Sequence, residues 1–192
     1  MRYLVVCAFL AASTAFSASR SDLTLVLAFD KQSADAAVGE MKQELAELFR
    51  SSGFDLDFKL AQELGAYPQF ERVVSIRFLG ECRMDKVPWQ PPPQGSLGFS
   101  RAVDGKVLPF IEIQCDLVRD LIRSATAAEG SRRDLLLGRA LGRVVAHELY
   151  HVLIRTSKHG SGLTQPTLNA KELVQEELAF DSTDFAHIAG SP

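Results

Sequence analysis

His147-Glu148-Leu149-Tyr150-His151 is the stretch on which the reading of this chain turns. It sits in a segment whose apolar residues, Leu135, Leu136, Ala140, Leu141, Val144, Val145 and Leu149, recur at helical spacing. Residues i and i+4 share one face of a helix, so both imidazoles can reach a single metal ion. Glu148, next to the first histidine, is placed to act on a water at that ion rather than to ligate it. The helix is expected to start at Ser131, with Asp134 three residues on in a capping-box-like pattern, and to end before the polar run Arg155–Gly162. Gly138 and Gly142 share a face, which lets another element pack closely.

Working outward toward the N-terminus, Leu23 to Phe29 is a continuous apolar run suited to a strand buried on both faces. A helix capped by Ser33 follows, with Val38, Met41, Leu45, Leu48 and Phe49 on one side and Gly53 as its stop. Phe54, Leu56, Phe58 and Leu60 alternate with polar residues, as in a half-buried strand near a sheet edge. Strand, helix, strand in this order implies a right-handed parallel crossover. Val73–Leu79 reads as a third strand. Glu81–Gly98, with four prolines and the chain's only Trp, Trp89, reads as a long loop. Asp104-Gly105 turns a hairpin between 99–103 and 107–113, with Pro109 interrupting its ladder. Helices are expected over 116–127 and from Asn169 to about Phe180, with a loose tail from Asp181.

The 192 residues, 46% hydrophobic and 23% charged, suffice for one domain with a real core. A net charge of −3 without a basic run gives nucleic-acid binding no electrostatic support. Arg2, the apolar Tyr3–Leu10 and the small residues to Ser19 form the pattern of a secretory signal peptide, with cleavage after Ser17 or Ser19. The expected organisation is a signal peptide over 1–19, a catalytic domain over 20–164 and a small helical extension over 165–192. The mature protein is then exported to the periplasm or the exterior, with no membrane segment. Removing the signal removes Cys7 and leaves Cys82 and Cys115, which are either bonded or two buried thiols.

A hydrolytic zinc site needs three protein ligands and one open position. His147 and His151 supply two. Two sources remain for the third. His159 follows in a glycine-bearing turn that can fold back toward the metal, and it is the preferred candidate. A carboxylate among Glu172, Glu176 and Glu177 would give a two-His-plus-Glu site instead. His187, near the C-terminus, reads as solvated.

At this point the chain resembles the zincin metallopeptidases, and most closely the metzincins, whose pattern is H-E-x-x-H-x-x-G-x-x-H with a methionine turn downstream. Ile154 stands where that pattern has glycine, the third histidine comes two residues late, and no methionine follows the helix. The resemblance implies an α/β (α+β) zincin-like fold: a mixed, mostly parallel twisted sheet with an antiparallel edge strand, packed on a backing helix and the active-site helix. It implies that a peptide or protein substrate pairs with the edge strand near 97–103. It places Cys82 and Cys115 at the same end of neighbouring parallel strands, which favours a disulfide.

The expected function is therefore a secreted metallopeptidase using one Zn2+ held by His147, His151 and His159, with Glu148 as general base. Tyr150, Thr156 and Ser157 are candidates to stabilise an oxyanion, although packing suits Tyr150 better. The alternative is a non-catalytic zinc- or partner-binding module on the same scaffold.

Overall fold

The computed structural model describes residues 21–66, 68–84 and 95–191. The expected signal peptide and the proline-rich centre of the 81–98 loop, Trp89 included, lie outside them. Five strands form one sheet: β1 (Ser21–Phe29), β2 (Phe54–Leu60), β3 (Val73–Leu79), β4 (Gly98–Val103) and β5 (Lys106–Gln114), in the order β2-β1-β3-β5-β4. All neighbours are parallel except β4, which runs antiparallel to β5 at the edge. This is the mixed sheet with an antiparallel edge strand that the resemblance to the zincins implied. The irregularity foreseen at Pro109 takes the form of a register shift opposite Ser100 and Ala102.

The period-2 pattern explains which face is covered. Leu25, Leu27, Ile76, Phe78, Ile111 and Ile113 all point to one side and are fully buried. On that side lie the backing helix α1 (Asp35–Leu48) and the long helix α3 (Arg133–Ile154). Val73 and Phe110, of opposite parity, stay exposed. α1 presents Ala37, Met41 and Leu45, and α3 crosses it at its glycines. A methyl group on Gly138 would stand 2.7 Å from Glu40 Cβ and run into the carbonyl of Ala37, so only glycine permits this approach. Arg143, buried on α3, then ties three segments together: it donates to Glu44 of α1 and to the carbonyls of Glu172 and Glu176.

Several expected boundaries move. α1 is capped at Ala34 without a side chain, because Ser33 is drawn into a bridge with Cys82. The helix expected over 116–127 is only α2 (Cys115–Ile122), and the chain goes on in turns to Ala128, with both the N–H and the hydroxyl of Thr126 donating to the carbonyl of Ile122. α3 begins from a 3-10 turn, Gly130–Arg132, with no side-chain cap. Asp134 accepts instead from the backbone N–H of Met84, 2.7 Å away, so a tertiary contact replaces the local cap. The Asn169 segment is a single short helix, α4 (Ala170–Val174), closed by a capping box with Glu172. The expected loose tail is a helix, α5 (Ser182–Ala189), capped by Asp181 and packed through Ile188.

Cys82 and Cys115 are joined in a disulfide, with Cα atoms 5.0 Å apart. The bond links the segment after β3 to the start of α2, where neighbouring parallel strands end together. No described helix is long and apolar enough to cross a membrane.

Candidate metal centre

α3 carries His147 and His151 one turn apart, near its C-terminus. The helix then runs through the position that is glycine in the metzincin pattern. Ile154 is still helical, and Arg155 takes the left-handed conformation at φ 53° and ψ 43° that ends it. This later exit accounts for part of the delay before the third histidine. A side chain in the left-handed region costs about 1 kcal/mol or more. Arg155 is exposed, so glycine would lose little packing there. Arg155→Gly is therefore expected to raise stability by about 1 kcal/mol in urea unfolding; a loss of stability would contradict this account of the exit.

After the exit the chain folds back. His159 comes to 4.9 Å from His151 and 5.3 Å from His147, ring centre to ring centre. Ligating atoms of all three lie within 4.8 Å of one another, and no other such His/Cys/Asp/Glu group occurs among the described residues. Glu172, Glu176 and Glu177 do not join it. The Glu172 carboxylate accepts instead from the backbone N–H of Asn169 at the cap of α4. His187 is exposed on α5, apart from the cluster.

The donor set fits a divalent cation. The Nδ1–H of His147 donates to the carbonyl of Leu163 (2.9 Å) and that of His151 to the carbonyl of Thr156 (2.8 Å). A carbonyl only accepts, so each Nδ1 bears the proton and each Nε2 keeps its lone pair. The two Nε2 atoms face one another at 3.1 Å. Two lone pairs so placed repel unless a cation lies between them, and tetrahedral zinc at about 2.0–2.1 Å from each nitrogen separates its ligands by roughly 3.3 Å. Burial lowers both histidine pKa values, that of His151 to about 4 with His147 adding to the effect, so both rings are neutral at pH 7, as ligands must be.

Glu148 is buried on the same helix, facing the edge strand. Burial pushes its carboxyl up to about 7, partly offset by hydrogen bonding from Ser100 of β4. Beside it opens a cavity of about 470 Å3, lined by Leu97, Leu117, Leu121, Val144 and Leu168 and floored by His147 and Glu148. Residues 165–168, from the segment after α3, also line it. The Tyr150 hydroxyl is committed to Asp184 at 2.8 Å and buried, which leaves it no part in binding an oxyanion.

Set beside solved structures, the fold has a counterpart. The crystal structure of archaemetzincin from Methanopyrus kandleri superposes with a TM-score of 0.52 over 90% of this chain and 96% of that one, at 13% identity. The fold is archaemetzincin-like. No protein-family model and no curated sequence matches the chain. At 13% identity the likeness is one of architecture.

Sequence reasoning missed the residues that orient the cluster. The carbonyls of Leu163 and Thr156 have no signature of their own, because any residue supplies one. Asp184 was hidden in a segment read as a loose tail, although Asp181-Ser182-Thr183 is a cap signal.

Proposed function

We propose that the chain is a zinc-dependent metallopeptidase, exported and active on peptide or protein substrates. The observation that carries the reading is the convergence of His147, His151 and His159, with two Nε2 lone pairs aimed at one point and Glu148 beside them. The archaemetzincin-like fold supports it, since the neighbour's name puts it in the group that the H-E-x-x-H pattern resembles.

His147, His151 and His159 would hold one zinc ion, which supplies Lewis-acid polarisation of a carbonyl and acidifies water. Glu148 does the proton work. Its carboxylate takes a proton from the attacking water and returns it to the leaving amine nitrogen. β4 offers its free edge to an extended peptide, and Ser100 on that strand joins the edge to Glu148. The apolar cavity takes a large apolar side chain of the substrate and excludes water from the reacting bond. The Leu163 and Thr156 carbonyls fix the tautomer and tilt of the two helical imidazoles.

The disulfide fits export into an oxidising compartment. The reading is tested with a mixed peptide library and zinc-loaded protein. Cleavage that a chelator abolishes and added zinc restores is the expected result. Zinc bound without cleavage of any peptide would make the chain a binding module, and no zinc bound would end both readings.

A further inference from the structure

We propose that Asp184 is a positioning residue for the third histidine: from α5 it locks the turn that carries His159 onto the helix that carries His147 and His151. This rests on the three-histidine reading above.

Asp184 is 5% exposed and stands in the last helix of the chain. One carboxylate oxygen accepts from the hydroxyl of Tyr150, the helix residue next to His151, at 2.8 Å. The other accepts from the hydroxyl of Thr164, the residue next to Leu163. A single side chain thus bridges α3 and the turn. The backbone just after His159 lies directly against it: a methyl group on Gly160 would stand 2.5 Å from Asp184 Oδ2 and 2.8 Å from the Thr164 hydroxyl. Gly160 N–H also donates to the Thr164 carbonyl at 3.2 Å. His159 is therefore followed directly by a close contact between the Gly160 backbone and the Asp184 carboxylate.

The turn has two outputs. At one end it presents His159, and at the other Leu163 orients His147. Asp184 grips it between the two. The metzincin pattern has a methionine turn after the third histidine, and this chain has no methionine there. Burying a carboxylate among neutral hydroxyls is costly, and among the described residues Asp184 has no ion pair. The carboxylate is kept there because both of its oxygens are engaged, one on α3 through Tyr150 and one on the turn through Thr164.

The test is zinc affinity, measured by chelator competition, in Asp184→Ala, Thr164→Val, His159→Ala and the Asp184→Ala/His159→Ala double variant. Urea unfolding in chelator reports whether each is folded. Ile188→Ala, on the same helix but in the apolar core, is the control for a merely structural loss. Asp184→Ala is expected to weaken zinc binding by about 10- to 100-fold, the range for groups that orient ligands. Thr164→Val should weaken it less, and Ile188→Ala should lower stability with affinity unchanged. The loss from Asp184→Ala should shrink by about three-fold or more when His159 is already absent, because both act on one turn. Wild-type affinity in folded Asp184→Ala overturns the proposal, as does full additivity in the double variant. Should Asp184→Ala not fold, unchanged affinity in Thr164→Val overturns it instead. A wild-type chain that binds no zinc removes the three-histidine reading, and this proposal with it.

Discussion

Glu148→Gln is expected to keep one zinc ion per chain and to lower peptide hydrolysis by about 10²- to 10⁴-fold, the contribution of a positioned general base. Glutamine has nearly the same shape and can still accept from Ser100, so packing against β4 survives while the proton acceptor is gone. Zinc analysis and initial rates on one cleaved peptide check both halves. Retained hydrolysis would remove Glu148 from the mechanism. The same substitution has a second effect in the metal-free protein. Burial holds the Glu148 carboxyl at about 7 against its ordinary 4.5. Its stabilising contribution is therefore fully present below pH 4.5 and is lost as pH rises through 7. Glutamine does not titrate, so the variant should be the more stable at pH 8, by up to about 3 kcal/mol, with little difference near pH 4.5. His151, its pKa lowered to about 4, acts in the opposite direction by destabilising the fold as pH falls from 6.5 toward 4. It is common to both proteins and cancels in the comparison. Urea unfolding at pH 5 and pH 8 in chelator reads the difference, and an advantage that does not change with pH would contradict it.

His159→Ala is expected to weaken zinc binding by about 10²- to 10³-fold while leaving the fold intact. Structural zinc sites are worth about 10–16 kcal/mol over three or four ligands, so one ligand carries roughly 3 kcal/mol or more. His159 is exposed, and its removal leaves no cavity in the core. A downstream glutamate as third ligand predicts instead an affinity close to wild type. The structure offers that rival little: Glu172 is engaged in its own helix cap, and Glu176 lies where Arg143 pins the backbone. Chelator competition at fixed pH separates the two outcomes.

Much of this architecture was legible because it is written in local periodicity. The alternation in Phe54–Leu60, the apolar run of β1 and the Asp104-Gly105 turn each state their structure within a few residues. The glycine pair on α3 announced a close helix crossing for the same reason. The misreadings have one cause, contacts between distant parts of the chain. Asp134 leaves its expected cap for Met84, and Ser33 leaves its cap for Cys82. At the site, the two helical histidines follow from i, i+4 geometry alone. The third depends on where α3 ends, and that was set by Arg155 accepting a left-handed conformation usually left to glycine. What holds the turn, Asp184, comes from the far end of the chain and has no local pattern pointing toward the metal.

The central claim is a zinc centre built from three imidazoles, and X-ray absorption at the zinc edge of the loaded protein addresses it most directly. The account predicts three histidine nitrogens at about 2.0–2.1 Å and one further light-atom ligand from solvent. A first shell with only two imidazoles and a protein carboxylate would contradict it.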